Sequence, residues 1–499
     1  MNERSSGILL HITSLPGKYG IGDFGKCAYE FVDFLKNSNQ KYWQILPMGV
    51  TGYGDSPYQS FSAFAGNPYF IDLDSFVEMN ILKNEDLKTL KELNSISEIQ
   101  YDKLYIERYS VLRLAFENFK SHTSFTLLKS FKNKNSWWLD NYSLFMAIKN
   151  NFNGKSWLEW PREYRFRCKK TLKNAKEKFK DEIDFQIFLQ FFFYKQWDDL
   201  KKYANNNKIK IIGDIPIFVA TDSADTWENP KMFEFDKKLQ PKKVAGCPPD
   251  AFSKYGQLWG NVLYNWKYIE KNNFSWWIKR VKSCFKLYDK VRIDHFRGFE
   301  SYWAIPAKAK TAQFGKWEKG PGMKLFYAIK KSLGDLDIIA EDLGFLTPKV
   351  YKLLKDSGYP GMKILQFAFD SREESDYLPH KYPKKSVAYT GTHDNQTVTG
   401  WYKSTNEKDK NFCDEYLSKF LTSKVENNSS ISWKFIEALW SSNSNLTIAP
   451  LQDFLDLDDE ARMNTPSTLG GNWIWRMNKS LLTKDLENKL SVLTIKHKR

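Results

Sequence analysis

Cysteine is scarce in this sequence, and it never occurs in closely spaced pairs. The five cysteines among 499 residues are odd in number, far apart and never arranged as CxxC, so neither a disulfide framework nor a zinc knuckle is predicted. The six histidines form no HxH or HExxH pattern, which leaves no candidate metal site. We therefore expect a protein without a metal or another cofactor, in a reducing compartment.

Long apolar runs are missing as well. The longest aromatic and aliphatic stretch, residues 184–197, is interrupted by Gln186, Gln190 and Lys195, whereas ~18 apolar residues are needed to span a bilayer. The N-terminal segment has an apolar stretch of only three residues, 8–10, and a secretory signal needs roughly seven to fifteen. We expect no membrane association and a cytoplasmic location; a plastid form whose transit peptide has been removed is the alternative.

The charge balance is basic but diffuse. Lys and Arg number 75 against 59 Asp and Glu, a net charge of +16, and the lysines are spread along the whole chain. Nucleic-acid-binding proteins concentrate positive charge in a patch and carry a recognisable motif, and neither is found here. A content of 42% hydrophobic and 16% aromatic residues excludes disorder, so we expect a folded protein with a solvated, lysine-rich surface.

Repeats, low-complexity tracts and Gly/Ser/Pro-rich linkers are absent, so residues 1–499 are predicted to form a single catalytic unit. Short aliphatic runs that end in polar residues or glycine do recur, and they alternate with amphipathic stretches. The eight runs are residues 7–12, 42–48, 208–218, 288–296, 336–344, 362–370, 386–395 and 446–453. This alternation is typical of βαβ units, and eight units predict an α/β protein with a (β/α)8 TIM barrel. An open doubly wound sheet is the alternative.

The spacing of the runs predicts large insertions. Between the second and third runs lies a long segment with helical periodicity, so we expect a helical insertion subdomain at about residues 65–205. A second insertion, at about residues 219–285, contains a stretch rich in Gly, Pro, Trp and Tyr at residues 223–266. This composition favours an ordered loop over the barrel mouth, where catalytic loops of such barrels lie.

Three of the runs end in acidic residues: Asp294, Glu341 and Asp394. Each alone would equally fit a helix cap or a loop, but ionisable groups at the carboxyl ends of barrel strands are typical of catalytic sites. Neighbouring strands lie ~4.8 Å apart, which suits the ~5–5.5 Å between the carboxyl groups of a retaining glycosidase. Asp294 and Glu341 are therefore a candidate catalytic pair.

The neighbours of these acids suggest how they differ. Arg292 precedes Asp294 by two residues, so the alternation of a strand places both on one face. A guanidinium there would lower the pKa of Asp294 and keep it ionised, as a nucleophile requires. Glu341 is followed by Asp342, and because successive strand residues face opposite ways, only one of these two can enter the site. The pattern does not decide which.

Seven motifs resemble those of one family. They are TGYGDSPYQSFSAFAGNPY (51–69), GDIPIFVATDSADTW (213–227), GCPPDAFSKYGQLWGN (246–261), RIDHFRGFE (292–300), AEDLG (340–344), THDN (392–395) and RMNTPSTLGGNW (462–473). Together they closely resemble the 4-α-glucanotransferases of glycoside hydrolase family 77, in the α-amylase clan, from about residue 7 to about residue 476. The resemblance implies a barrel enzyme that acts on maltooligosaccharides and α-1,4-glucans, with glucose as an acceptor.

The resemblance also implies roles for individual residues. Asp294 would be the nucleophile, Glu341 the general acid/base, and Asp394 a third carboxylate that binds donor hydroxyls and helps to distort the sugar. The residues implied to bind substrate are Arg292, His393, Ser56 and Tyr58 on the donor side, Asp214 as the acid after the third strand, and Asp250, Gln257, Trp259 and Asn464 in the loops that bracket the cleft. For Tyr58 and Trp259 we expect stacking on sugar faces.

The activity implied is retaining transfer of a glucan segment to the 4-hydroxyl of glucose or another glucan. An α-amylase-type hydrolase with the same carboxylates is the alternative, and a glucan-binding protein without activity is disfavoured by the complete carboxylate set. We expect a monomer or weak homodimer. The chain departs from the family at Val262, where Pro is usual, and at Ser467, where Gly is usual; Ile12 and Gln396 are lesser departures.

Overall fold

The structure is a computed structural model. It describes residues 3–52, 54–95, 98–121, 125–249, 253–344, 346–373, 375–421, 429–468 and 470–499.

The described residues form twelve β-strands in two sheets. The strands are β1 (Ser5–Leu9), β2 (Tyr42–Gln44), β3 (Lys210–Pro216), β4 (Lys243–Cys247), β5 (Gln257–Val262), β6 (Lys290–Asp294), β7 (Ser301–Pro306), β8 (Lys316–Lys319), β9 (Ile338–Ala340), β10 (Gly361–Ile364), β11 (Ser386–Tyr389) and β12 (Leu446–Pro450). Eight of them form one parallel sheet in the order β10-β11-β12-β1-β2-β3-β6-β9. Each of these eight falls within or overlaps one of the runs found in the sequence, which confirms the (β/α)8 barrel.

The barrel is closed between β9 and β10 by only a few hydrogen bonds. Ala340 N–H donates to the carbonyl of Pro360 at 3.0 Å, and Met362 N–H donates to the Asp342 carboxylate at 2.6 Å. A Cβ on Gly361 would lie 2.4 Å from that carboxylate, so glycine permits the close approach. Asp342 therefore faces the seam of the barrel and leaves the active-site side to Glu341.

The helices surround the barrel. They are α1 (Lys26–Asn37), α2 (Asp74–Glu78), α3 (Lys88–Glu92), α4 (Tyr101–Lys120), α5 (Phe125–Asn151), α6 (Arg162–Arg165), α7 (Lys169–Lys178), α8 (Lys180–Asn206), α9 (Ala224–Glu228), α10 (Trp266–Lys271), α11 (Ser275–Leu287), α12 (Met323–Leu333), α13 (Pro348–Ser357), α14 (Val398–Ser404), α15 (Glu407–Phe420), α16 (Ile431–Ser441), α17 (Leu451–Phe454) and α18 (Lys484–Lys496). In the described part of the chain, none of them is long and apolar enough to cross a membrane.

The segment between β2 and β3 is helical, from α2 to α8, as the sequence predicts. Its longest apolar stretch lies in α8, which is apolar on more than one face. Phe193 contacts Phe24 of the barrel loops, with ring centroids 5.3 Å apart, while Phe188 contacts Phe116 of α4 at 5.4 Å. Helix α8 thus joins the insertion to the barrel, which explains why its sequence is so rich in phenylalanine.

The second sheet is antiparallel and has the order β5-β4-β7-β8. The composition of residues 223–266 predicts an ordered loop and no strand. Strands β4 and β5 lie in that segment, but β4 pairs with β7, so that Gly246 lies opposite Trp303. Pairing between such distant segments leaves no local signal, and glycine and tryptophan in short strands give no clear alternation. The sheet places β5 beside the barrel mouth.

Candidate active site

The carboxylates predicted from the sequence meet at the carboxyl ends of the barrel strands. Asp294 is the last residue of β6, Glu341 directly follows β9, and Asp214 lies in β3 opposite Arg292. Ile293 pairs with Ala340, so Asp294 and Glu341 are the next residues along neighbouring strands. Asp394 follows β11 by five residues. The order of these strands in the sheet puts all four acids at one end of the barrel.

Arg292 is the centre of this group. Its side chain is only 3% exposed, and it donates to the carboxylate of Asp214 and to Asp294 Oδ1 at 3.0 Å. Arg292 and Asp294 therefore share a face, as the alternation of the strand predicts. The buried guanidinium of Arg292 thus binds both Asp214 and Asp294, and Glu341 lies next to this group.

The pKa of Asp294 differs from the value expected from the sequence. Burial raises the pKa of Asp294 to about 8; Arg292 opposes this rise, and the negative charges of Glu341 and Asp214 add to it. Arg292 thus lowers the pKa of Asp294, as predicted, but burial and the neighbouring acids raise it by more. The expectation of a lowered pKa is therefore wrong for the free enzyme. Burial also raises the pKa of Glu341. We expect the pair to share one proton near neutral pH.

Glu341 is held by two backbone amides. His295 N–H donates to Glu341 Oε2 at 2.6 Å, and Leu343 N–H donates to Glu341 Oε1 at 2.8 Å. Both bonds favour the ionised carboxylate, so they and Arg292 oppose the effect of burial on its pKa. Because a protonated carboxyl oxygen can still accept a hydrogen bond, these two amides can hold Glu341 in place both as a carboxylate and as a carboxylic acid.

Aromatic residues line the side of the barrel mouth on which Asp214 lies. The Tyr58 hydroxyl donates to Asp214 Oδ2 at 3.0 Å, and the Tyr58 ring lies nearly parallel to that of His393, with centroids 5.1 Å apart. Trp473 packs against both, at 6.0 and 5.8 Å. Ser56 Oγ accepts the N–H of Tyr58 at 3.3 Å. These contacts fix the Tyr58 ring at the mouth.

Asp394 has its own set of partners. Asn464 Nδ2 donates to Asp394 Oδ1 at 2.6 Å, and Arg462 donates to the Asp394 carbonyl at 2.7 Å. His393 Nε2 lies 3.3 Å from Asp394 Oδ2, and burial lowers the pKa of His393, which favours its neutral form. The predicted residue Asn464 therefore contacts the third carboxylate directly.

Gln257 and Trp259 stand on β5 at the opposite side of the mouth. Trp259 Nε1 donates to Gln257 Oε1 at 3.0 Å, and its carbonyl accepts from Gln59 Nε2 at 3.3 Å. The Trp259 ring meets the ring of His295 edge-on, with centroids 4.8 Å apart. Asp250, the remaining predicted residue, lies outside the described residues.

Two residues of the site, His295 and Trp473, are not among those predicted from the sequence. Both stand inside motifs that were recognised, one directly after Asp294 and the other at the end of the RMNTPSTLGGNW segment. Both also have positive φ values, 56° and 66°, which are unusual for residues with large side chains. Their position in the motifs was the available signal. In the described ranges, no three or more His, Cys, Asp and Glu side chains are grouped as metal ligands.

A (β/α)8 barrel with paired carboxylates, a buried arginine and aromatic rings at the carboxyl ends of its strands is typical of glycoside hydrolases and transglycosylases. The sequence model of glycoside hydrolase family 77, described as 4-alpha-glucanotransferase, matches residues 10–483. The chain therefore belongs to this family.

Relatives that match this chain over almost its full length are 4-alpha-glucanotransferases as well. A 4-alpha-glucanotransferase of Clostridium butyricum is 52% identical and covers 97% of this chain and 99% of its own, and one of Thermus thermophilus is 46% identical over 95% of both. The structure of an amylomaltase from Streptococcus agalactiae in complex with acarbose superimposes with a TM-score of 0.95 at 42% identity and covers 100% of both chains. The chain is an enzyme of the 4-alpha-glucanotransferase type, and the hydrolase alternative is not favoured.

Proposed function

We propose that the enzyme transfers segments of α-1,4-glucans by double displacement, with Asp294 as nucleophile and Glu341 as general acid/base. The observation that carries this proposal is the position of the two acids at the ends of neighbouring strands, next to the buried Arg292. Such strands are ~4.8 Å apart, which is compatible with the ~5–5.5 Å separation of a retaining mechanism.

In the first step, the Asp294 carboxylate attacks the anomeric carbon of the donor while Glu341 delivers the shared proton to the departing glycosidic oxygen. The proton therefore has to reside on Glu341 when the donor is bound. Arg292 supports this distribution, because its bond to Asp294 favours the ionised nucleophile. The product of this step is a covalent glucosyl ester of Asp294 and a shortened glucan with a free 4-hydroxyl.

In the second step, Glu341 removes the proton from the 4-hydroxyl of an acceptor, which attacks the ester and restores the α-linkage. The amides of His295 and Leu343 support this half of the cycle, because they stabilise Glu341 as a carboxylate. We assign Asp394 and His393 to the hydroxyl groups of the donor sugar, and Tyr58 to its apolar face.

We further propose that glucose serves as an acceptor and that Gln257, Trp259, Asp250 and Asn464 bracket the cleft. Asn464 would reach the donor through its bond to Asp394, whereas Trp259 stands on the β5 side. A cytoplasmic location and a monomer or weak homodimer complete the proposal. Gel filtration of the purified protein tests the last point.

The roles of the two acids are tested by trapping. Glu341→Gln should lose transfer from maltooligosaccharides, whose leaving group needs a proton, but should still react with α-glucosyl fluoride, whose leaving group does not. The ester then accumulates because no base activates the acceptor. Mass spectrometry of a peptide digest should find the adduct on Asp294.

A matched control is Glu407→Gln, whose side chain is 80% exposed; it should neither lose transfer nor accumulate an adduct. If Glu341→Gln binds the fluoride but forms no adduct, the division of roles is wrong. Chromatography of products from maltotriose with labelled glucose tests the acceptor. Label should enter longer chains at nearly constant reducing ends, and a steady rise in reducing ends without longer products would contradict transfer.

A further inference from the structure

Strand β5, which bears Gln257 and Trp259, is the edge strand of its sheet. It stands first in the order β5-β4-β7-β8, so among the described residues only its side towards β4 is paired with another strand. The other edge presents backbone N–H and C=O groups that need different partners. The position of Trp259 at the mouth therefore depends on what covers this edge.

Side chains from two barrel loops cover the edge. Thr221, in the loop after β3, donates its hydroxyl to the carbonyl of Gly260 at 2.8 Å. Gln59, in the loop after β2, donates Nε2 to the carbonyl of Trp259 at 3.3 Å. Because Gln59 directly follows Tyr58 in the sequence, the backbone at Trp259 is bound by the same loop that places the tyrosine ring.

Gln59 also forms a closed amide pair with Asn261. Gln59 Nε2 donates to Asn261 Oδ1 at 3.0 Å, and Asn261 Nδ2 donates to Gln59 Oε1 at 3.4 Å. The second hydrogen of Asn261 Nδ2 goes to the carbonyl of Val219 at 2.9 Å. Backbone carbonyls only accept hydrogen bonds, so those of Trp259 and Val219 fix which way the two amides point. In this arrangement all four amide hydrogens have an acceptor.

The amide pair lies between the two sides of the mouth. Tyr58, next to Gln59, donates to Asp214 on the proposed donor side, whereas Trp259 stands two residues before Asn261 on the proposed acceptor side. Asn261 is only 5% exposed, so water competes little for its hydrogen bonds. Loss of the pair would let Trp259 move relative to the Tyr58 ring and would change the width of the cleft.

We propose that Gln59 and Asn261 are positioning residues that act as a unit: their amide pair holds the acceptor side at a fixed distance from the donor side, so that a sugar hydroxyl and not water reaches the glucosyl ester. A reacting hydroxyl has to lie within about 3–3.5 Å of the anomeric carbon. Water is abundant and needs little positioning, so a loosened cleft favours hydrolysis. This proposal rests on the proposed function, because it takes Trp259 as part of the acceptor site and Asp294 as the residue that carries the ester.

Substitutions that keep the side-chain size and remove the hydrogen bonds test the pair. Gln59→Met and Asn261→Leu do this singly, and the double variant shows whether the two residues act as a unit. Asn261→Ala takes the place of Asn261→Leu if the leucine variant does not fold.

The matched control is Gln196→Met. Gln196 of α8 likewise binds backbone, since its Oε1 accepts the N–H of Asp72 at 2.7 Å and its Nε2 donates to the Asp72 carbonyl at 3.1 Å. Both of these residues belong to the helical insertion. Gln196→Met should therefore lower thermal stability as the test variants do, but it should leave the products unchanged.

The readouts are the ratio of hydrolysis to transfer from maltotriose, the KM for glucose as acceptor, and kcat/KM for fluoride release from α-glucosyl fluoride. Fluoride release reports only the steps up to the ester, so its kcat/KM should stay within about twofold of wild type. Each single variant should raise the ratio and the acceptor KM about threefold to tenfold, as expected for lost hydrogen bonds of this kind. The double variant should exceed the stronger single variant by less than about twofold, because the second substitution has no partner left to lose.

A ratio within about twofold of wild type in both single variants, with the fold verified by circular dichroism, would overturn the proposal. An equal fall of fluoride release and of transfer would also overturn it, since a merely structural role gives that result. Effects that multiply in the double variant would show that the two residues do not act as a unit. Failure of the proposed function is seen elsewhere, in the absence of an Asp294 adduct in Glu341→Gln, so the two failures are distinguishable.

Discussion

The proposed donor side of the mouth, around Asp214 and Arg292, is buried and charged, whereas the proposed acceptor side, around Gln257 and Trp259, is partly open and neutral. Asp214 is fully buried and Arg292 is 3% exposed, and their contacts are charge-assisted hydrogen bonds from barrel strands. Trp259 stands on a strand of the inserted sheet, and its indole ring is held by one neutral hydrogen bond and the edge of a histidine ring.

This difference matches what each side has to do in a double displacement. The donor sugar stays in place through both steps, so fixed charges on rigid strands can hold it without limiting turnover. The sugar on the acceptor side must leave and be replaced by another. Neutral rings give enough contact to orient a sugar and exclude water, while they leave the exchange fast. Substitutions on the two sides should therefore differ in kind as well as in size.

The largest effect is expected on the donor side, from Asp294→Asn. The variant lacks the charge that attacks the anomeric carbon, and transfer should fall by at least about a thousandfold, or ~4 kcal/mol of barrier. Steady-state transfer from maltotriose measures this loss. The control is Asp335→Asn, whose side chain is 86% exposed and whose activity should equal the wild type. More than a few per cent of activity in Asp294→Asn would show that the nucleophile is misassigned.

The same substitution should stabilise the protein, and more so at higher pH. With a pKa of about 8 when folded and ~3.9 when unfolded, Asp294 binds a proton in the folded state that the unfolded state releases. Stability therefore falls as the pH rises from ~4 to ~8, and Asn escapes this loss. Thermal unfolding at pH 5, 6.5 and 8 should show a Tm gain that grows with pH. A gain that is constant or shrinks would contradict a buried, proton-sharing Asp294.

On the acceptor side, Trp259→Ala should change the outcome of the reaction more than its rate. Water at the site then competes better with the acceptor, and the ratio of hydrolysis to transfer should rise about tenfold, a small part of the ~7–11 kcal/mol that positioning can contribute. Reducing ends and chain lengths from maltotriose give the ratio. Trp137→Ala, at a partly exposed tryptophan of α5, should leave it unchanged. If the ratio of hydrolysis to transfer in Trp259→Ala equals that of the wild type, this residue does not line the acceptor site.

The strand that bears Trp259 can be tested at Val262, where the family usually has proline. Val262 N–H donates to Thr221 Oγ1 at 2.7 Å, and proline has no N–H to donate. Val262→Pro should lower the free energy of unfolding by about 1 kcal/mol, measured by denaturant unfolding. In a Thr221→Val background the loss should shrink, because the hydroxyl partner is gone. An equal loss in both backgrounds would show that the bond is unimportant.

The smallest effect is expected at Ser467, where the family usually has glycine. Ser467 has a φ of +66°, which glycine adopts without the strain of a Cβ. Ser467→Gly should stabilise the protein by up to about 1 kcal/mol, with little effect on donor chemistry. Ser371→Gly, at a loop serine outside the left-handed region, should be neutral or destabilising. Destabilisation by Ser467→Gly would mean that the serine side chain contributes a contact of its own.

The amino-acid sequence by itself determined the barrel, its helical insertion and the positions of the acids. Eight short buried runs are local patterns, and an acid that ends such a run lies at the same face of any parallel barrel. The period of two along β6 likewise placed Arg292 beside Asp294. These properties depend on neighbours in the chain, so they can be read without coordinates.

Only the tertiary structure decided the features that depend on distant residues. Met362 draws Asp342 into the seam and leaves Glu341 to the site. The second sheet pairs β4 with β7, and Trp259 of that sheet contacts His295, which follows β6 of the barrel. The pKa of Asp294 is decided in the same way. Burial and charged residues on several strands change this pKa together, and the residues near Asp294 in the sequence do not reveal their combined effect.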